Sequence, residues 1–299
     1  LPFAIVVFCA LSENAFAQAP EGAAIDSIGL LPDAIFFAGA RVPIENWTVR
    51  ERLLGEIRYY TRNQGVRNQI ESYFARSAYY LPLMKNRFET AGLHPDYIYL
   101  SIVESELMPT ARSRAGAVGL WQIMPNTGRE CGLRIDGRVD ERMSFGRATT
   151  CAIRHLERSD SIFRDPLLNL AAFNVGNAGV RRAQLINERL PFWELVFLKR
   201  NSRDFNNETE RYPYRVIAMK LIMENPRRYF FRGYPIGNLE TEVVRYEVPL
   251  RRRVTLIGLA NELGVDPATF RELNGQFRNN LIPPGMVHFL LVPRRHARP

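Results

Sequence analysis

From about Val42 onward, apolar side chains recur at helical spacing. Val49, Leu53, Leu54 and Ile57 make one stripe, Ile70, Tyr73 and Phe74 a second, and Leu81, Met84 and Phe88 a third. This is the pattern of helices that bury one face, and Gly65 and Pro82 are read as punctuation among them. Tyr97–Leu107 differs, being almost continuously apolar until Glu104-Ser105-Glu106. Pro95 and Asp96 before it suit the first turn of a helix. A helix apolar nearly all round is buried, so the sequence predicts a buried helix that ends on an acid. After an irregular stretch, Arg129–Arg142, helices are predicted over Ser144–Phe163, over Leu167–Phe173 behind an Asp165-Pro166 cap, and over Tyr214–Met223.

Two stretches lack this period. Gln18–Ala40 carries Pro20, Gly22, Gly29, Pro32 and Gly39 and is read as a linker or mobile arm; Pro226–Asn238 is read as a second linker. Beyond it Val243–Val248 alternates like a strand and Leu256–Leu263 is a short amphipathic helix. Asp266-Pro267 opens another helix ending near Leu273-Asn274, and Leu290–Val292 closes as a strand. The expected fold class is mainly α. A helical domain over 42–235 follows an arm, 18–41, and precedes a small α+β (βααβ) module over 240–294 and a basic tail, 295–299.

Composition narrows the roles open to such a chain. Of its 299 residues 46% are hydrophobic, enough for a sizeable core. The formal net charge is +9, nearly all of the positive charge being arginine, since the lysines are Lys85, Lys199 and Lys220. Such a surface attracts acidic polymers, but no nucleic-acid-binding motif accompanies it, so no nucleic-acid partner is expected. Leu1–Leu11 is apolar and too short to span a bilayer as a mature helix. Ala15-Phe16-Ala17 has the small-x-small form of a signal-peptidase site. Residues 1–17 are therefore expected to be a signal peptide, with an uncleaved membrane anchor as the alternative. The mature chain is expected in the periplasm or cell envelope, as a monomer, free or associated with the membrane. Cys131 and Cys151 then form either a disulfide or two buried thiols. His94, His155, His288 and His296 are scattered without paired spacing, so no metal and no other cofactor is expected.

Chemistry concentrates at Glu104. Burying a carboxylate disfavours its charged form and raises its pKa, and the negative end of a helix dipole pushes the same way. A carboxyl kept protonated near neutral pH is what a general acid needs. The bland alternative is a helix-end glutamate facing water. Glu106, two residues on, faces a different side of a helix, and no partner acid is evident. The basic loop Arg112–Gly119 follows, then Gly119-Leu120-Trp121-Gln122-Ile123-Met124-Pro125.

Glu104-Ser105 followed by that segment resembles the lytic transglycosylases of the Slt type, and among them the membrane-bound D type. These are goose-lysozyme-like enzymes that cleave bacterial peptidoglycan. Ala172-Phe173-Asn174 with Gly176 is similar to the family's Ala-Tyr-Asn helix end, although Phe173 lacks the usual hydroxyl and the spacing to Gly179 differs. Glu208-Thr209-Glu210-Arg211-Tyr212 resembles its Glu-Thr-x-x-Tyr element. Glycosidases ordinarily use two carboxylates. The resemblance implies one, Glu104, which protonates the oxygen between N-acetylmuramic acid and N-acetylglucosamine. It then takes the C6 hydroxyl proton as a 1,6-anhydro ring closes. An intramolecular hydroxyl already held close needs little activation.

Ser105, Gln122, Asn174 and Tyr212 make up the implied substrate-binding set. Ser105 would orient Glu104, Gln122 and Asn174 would bond acetamido or ring substituents, and Tyr212 would lie near the acid. Trp121 is expected to be a packing anchor. Tyr79 and Tyr80 are either core or groove lining, and Arg112 and Arg114 either solvated or attractive to acidic peptide stems.

The C-terminal pattern resembles a LysM module, a binder of N-acetylglucosamine polymers. The matching pieces include Tyr246-Glu247-Val248, Thr255-Leu256, Gly264-Val265, Leu273-Asn274 and Leu291-Val292-Pro293. Arg253-Val254 stands where that family has Gly-Asp, which leaves both glycan binding and a purely structural cap open. A muramidase on the same fold and a non-catalytic wall-binding scaffold are the rival functions.

Overall fold

The computed structural model of the chain describes residues 29–198, 205–232, 241–248, 252–285 and 287–293. The expected signal peptide and basic tail lie outside the described residues, as does the end of the expected second linker.

A hairpin comes first, β1 (Ile35–Phe37) pairing antiparallel with β2 (Ala40–Val42). Ile35, Phe37 and Val42 are buried while Phe36 and Arg41 face out, the alternation of a half-buried ribbon. Phe37 packs edge-on to Tyr97, and the Asp96 carboxylate accepts the Ala38 N–H at 2.8 Å. Residues 29–41 are thus part of the folded domain, which corrects the arm expected there. Three-residue strands are too short for their alternation to stand out among glycines and prolines.

α1 (Trp47–Arg62) and α2 (Gln64–Thr90) share Asn63, which ends one and caps the other. The break therefore falls at Asn63, not Gly65, and α2 runs on through Pro82. Pro82 is exposed, so water can satisfy the carbonyl that its missing N–H leaves free. The predicted buried helix is in two pieces. A 3-10 turn, Pro95–Tyr99, capped by His94, leads into α3 (Leu100–Ser105). Glu106 and Leu107 then adopt φ of 58° and 59°, left-handed conformations that stop the helix.

α4 (Pro125–Glu130) is tied to α5 (Phe145–Phe163) by a disulfide between Cys131 and Cys151, with Cα atoms 5.5 Å apart. A cross-link of this loop length stabilises by about 3 kcal/mol. α6 (Pro166–Val175) starts on Asp165, whose carboxylate accepts the Leu167 and Leu168 N–H groups. α7 (Asn177–Ile186), α8 (Phe192–Leu198) and α9 (Asn207–Glu224) follow. α9 begins on an Asn206 cap, well before the expected Tyr214, and carries Pro213 inside it. It packs against α1, α3 and α6. Trp121 is a packing anchor: fully buried, it stacks on Phe88, meets Phe173 edge-on and donates its indole N–H to the Thr149 hydroxyl at 3.1 Å. Tyr80 is core, stacked on Phe145, and Tyr79 is half-buried.

In the C-terminal module β3 (Thr241–Glu247) pairs antiparallel with β6 (Val287–Pro293), and β4 (Val254–Thr255) with β5 (Leu281–Ile282). α10 (Leu256–Leu263) and α11 (Pro267–Leu273) lie between them. Val248, Leu256, Leu259, Phe270 and Ile282 form its core, which Val139 of the helical domain joins. Leu273 and Leu291 of the module pack in turn into the larger core. The class is mainly α with a small α+β region at the C-terminus. Among the described residues no helix is long and apolar enough to cross a membrane.

Candidate active site

Glu104 sits in the last turn of α3 with only 4% of its surface exposed. Its Oε1 accepts a hydrogen bond from the Tyr212 hydroxyl. Burial pushes the Glu104 carboxyl up to about 7, against the pull of the Tyr212 hydrogen bond and of Arg215; the Glu208 charge adds to the rise. Burial and the neighbouring carboxylate also push the Tyr212 phenol well above its ordinary range, so it stays a neutral donor. Arg215, one turn along α9, keeps its charge despite burial because Tyr60 and Glu56 of α1 hold it. Glu56 is itself paired with Arg211.

The sequence names Glu208 only as the first residue of the Glu-Thr-x-x-Tyr element and gives no signal for Arg215. They lie four residues before and three after Tyr212, spacings that share a helix face. A helix expected only from Tyr214 places Glu208 and Tyr212 ahead of it, where no shared helix face can be read.

On the other side of α3, Ser105 shares its hydroxyl between the Ser101 and Leu120 carbonyls, each at 3.0 Å. It does not bond Glu104 directly; it pins the acid's helix to the turn containing Gln122. Gln122 is fully buried with φ of 44°, a conformation that L side chains adopt sparingly. Its Nε2 donates to the Gly119 carbonyl at 2.9 Å, while its Oε1 has no partner among the described residues. Gly119 has φ of 87°, and a Cβ there would lie 2.0 Å from the Arg142 carbonyl oxygen, so only glycine fits.

Asn174 ends α6, where its Oδ1 accepts from the Thr209 hydroxyl at 3.3 Å and its Nδ2 has no partner among the described residues. Phe173 is buried, edge-on to Trp121 and His155. Arg112 and Arg114 are exposed. Glu104 and Tyr212 are therefore in direct contact, Ser105 and Gln122 meet at one turn, and Asn174 is fastened to the start of α9. Among the described residues no group of His, Cys, Asp or Glu is placed to hold a metal ion.

Residues 84–196 match the transglycosylase SLT domain, and residues 246–298 the LysM-like domain of the lytic transglycosylase MltD. The chain is 26% identical over 250 residues to membrane-bound lytic murein transglycosylase D of Escherichia coli, an alignment covering 79% of this chain and 53% of that protein. The same figures hold for the protein of that name from a second strain. The chain spans about half the length of the curated relatives it matches. One solved structure, an inactive mutant of the lytic transglycosylase Slt from Pseudomonas aeruginosa, aligns over 52% of this chain and 25% of its own. The identity is 22% and the TM-score 0.37. Glu104, Ser105, Gln122 and Asn174 fall inside the first matched range and Tyr212 beyond it. The chain carries a transglycosylase SLT domain followed by a LysM-like domain of the lytic transglycosylase D kind.

Proposed function

We propose that this protein is a lytic transglycosylase that cuts the β-1,4 bond between N-acetylmuramic acid and N-acetylglucosamine in peptidoglycan and leaves a 1,6-anhydro end. The observation that carries the reading is the buried Glu104 carboxyl, raised to about 7 and held by the neutral Tyr212 hydroxyl. Near that pH both of its forms are populated, so one group can act first as acid and then as base. Glu104 gives its proton to the glycosidic oxygen as the bond to C1 breaks. The muramyl C6 hydroxyl then bonds to C1 and returns a proton to the carboxylate, and no water is consumed.

Gln122 Oε1 and Asn174 Nδ2, an acceptor and a donor buried without partners among the described residues, are complementary to an acetamido N–H and C=O. Unpaired buried polar atoms cost about 1–3 kcal/mol each, which a bound sugar would recover. Ser105 acts on the acid through the position of α3. The hairpin and helices up to residue 232 make the catalytic unit, and the module from about residue 240 is its LysM-like companion. Export to the cell envelope fits a wall polymer as substrate.

Mass spectrometry of fragments released from purified sacculi tests the reading. Products bearing 1,6-anhydromuramic acid are expected. Reducing muramic ends would instead mean a hydrolase, with Glu208, whose charge reaches Glu104, as the candidate for activating water. Binding without release would mean a scaffold.

A further inference from the structure

Besides packing Leu273 and Leu291 into the larger core, the module pairs its backbone with one segment of the helical domain. The Asp140 N–H donates to the Gln276 carbonyl at 2.9 Å and the Arg278 N–H to the Arg138 carbonyl at 3.0 Å, so Val139 and Phe277 pair as an antiparallel bridge. Contact is tight enough that a Cβ on Gly275 would lie 2.6 Å from the Thr110 side chain. At this joint the Asp140 carboxylate is fully buried. It accepts from Arg142 twice, Nε to Oδ1 and Nη2 to Oδ2, each at 2.9 Å, and from Arg278 Nη2 at 3.2 Å. The buried carboxylate lies between these two guanidinium groups, with Arg112 Nη1 a further 4.0 Å from Oδ2, so where one of them sits constrains where the others can sit.

Arg142 has a second hold. Its Nη1 donates to the Gly116 carbonyl at 2.8 Å and to the Ile123 carbonyl at 3.2 Å, the two ends of the loop that contains Gln122. The backbone carbonyl of Arg142 is the one against which Gly119 is closed. The same loop accepts the Ser105 hydroxyl on Leu120. A continuous set of direct contacts therefore runs from Arg278 in the module to Asp140, Arg142, the Gln122 turn and Ser105, beside Glu104.

We infer that Arg278 is a positioning residue of the active site, contributed by the C-terminal module. By holding Asp140 and Arg142 in place it keeps the Gln122 turn in its left-handed conformation against α3. The module then serves cleavage by shaping the catalytic unit, whether or not it also grips glycan. The inference rests on the proposed roles of Glu104 and Gln122.

Arg278 is partly exposed, with 36% of its side chain open to solvent, so Arg278→Ala should leave the full chain folded. Its turnover on sacculi should drop on the order of tenfold, the scale of coupling through a contact network, with sacculus binding unchanged; Arg278→Lys should restore most of the rate. In a Gln122→Ala background the same change should cost little, because the turn no longer carries the group being positioned. An equal loss in both backgrounds, or wild-type turnover in Arg278→Ala, overturns the inference. Hydrogen exchange reads the strut without catalysis. The Val118, Gln122 and Ile123 amides, bonded within the turn, should exchange faster in Arg278→Ala while α9 amides do not change. Unchanged exchange at the turn overturns the inference even with cleavage intact. Faster exchange in a chain whose wild type cuts nothing upholds the strut and overturns the proposed function alone.

Discussion

Glu104 and Asp140 are both buried carboxylates of the helical domain, exposed by 4% and 0%, yet their surroundings are opposite. Asp140 is saturated: Arg142 grips it with both arms of its fork, Arg278 adds a third bond, and the Arg142 N–H a fourth. Glu104 receives one hydrogen bond among the described residues, from a neutral phenol. Arg215 acts on it as a charge without bonding it, and burial wins. The difference teaches that burial alone does not decide what an acid does. A buried carboxylate bonded by cations is a fastener, and one bonded by a neutral phenol, with a cation acting on it only as a charge, has its pKa raised.

Substitution at each acid tests the contrast. Glu104→Gln keeps the shape and removes the proton donor. Release of muropeptides should fall by about 10²- to 10⁴-fold, the usual worth of a general acid, with folding intact by circular dichroism. The same variant carries a stability signature. The folded carboxyl titrates at about 7, above its ordinary 4.5. Below the lower value both folded and unfolded states hold the proton, so the buried acid costs folding nothing. Between about 4.5 and about 7 the unfolded chain ionises while the dry folded site still holds its proton, so stability falls by on the order of 3 kcal/mol and levels off above about 7. Glu104→Gln should therefore raise the melting temperature at pH 8 and leave it unchanged at pH 4.

Asp140→Asn should do the reverse, leaving Arg142 and Arg278 short of their counter-charge. A loss of about 3–5 kcal/mol by urea unfolding is expected; wild-type stability in this variant would break the comparison. Replacing Cys131 and Cys151 with serine opens the loop that encloses Asp140 and should cost about 3 kcal/mol, without moving the pH at which activity falls on the alkaline side.

The finest test concerns that alkaline limb, where Glu104 loses its proton. Tyr212→Phe removes a bond that favours the carboxylate, and Arg215→Met a charge that does the same. Both should shift the limb to higher pH, by about the worth of a hydrogen bond, ~1 kcal/mol, for the first. Glu208→Gln should shift it slightly lower. A pH–rate profile of each on a soluble glycan decides, and no displacement in any of them would mean that Glu104 is not the titrating acid.

Much of this was legible in the chain itself. The apolar run before Glu104 predicted a buried helix ending on an acid, Asp165-Pro166 a helix start, and Gly119–Pro125 with Glu104-Ser105 resembled a known constellation that drew attention to that acid. The hairpin at residues 35–42 was not legible, because its strands are too short to establish a period. Pro213 hid the true start of α9, because proline reads as a boundary even where a packed helix tolerates it. With that start misplaced, Arg215 and Glu208 lost their relation to Tyr212.

The sequence by itself determined which long segments coil, the Asp165-Pro166 cap and which acid follows an apolar run, because those properties arise from residues a few positions apart. Tertiary structure alone decided what each buried charge meets. Glu104 and Tyr212 are 108 positions apart, and Asp140 and Arg278 138. Over such separations no local propensity specifies a partner. Packing of α9 on α3, and of the module on the Asp140 segment, brings the groups together, and the balance of burial against nearby charge then raises the pKa of Glu104 while Asp140 is a tie.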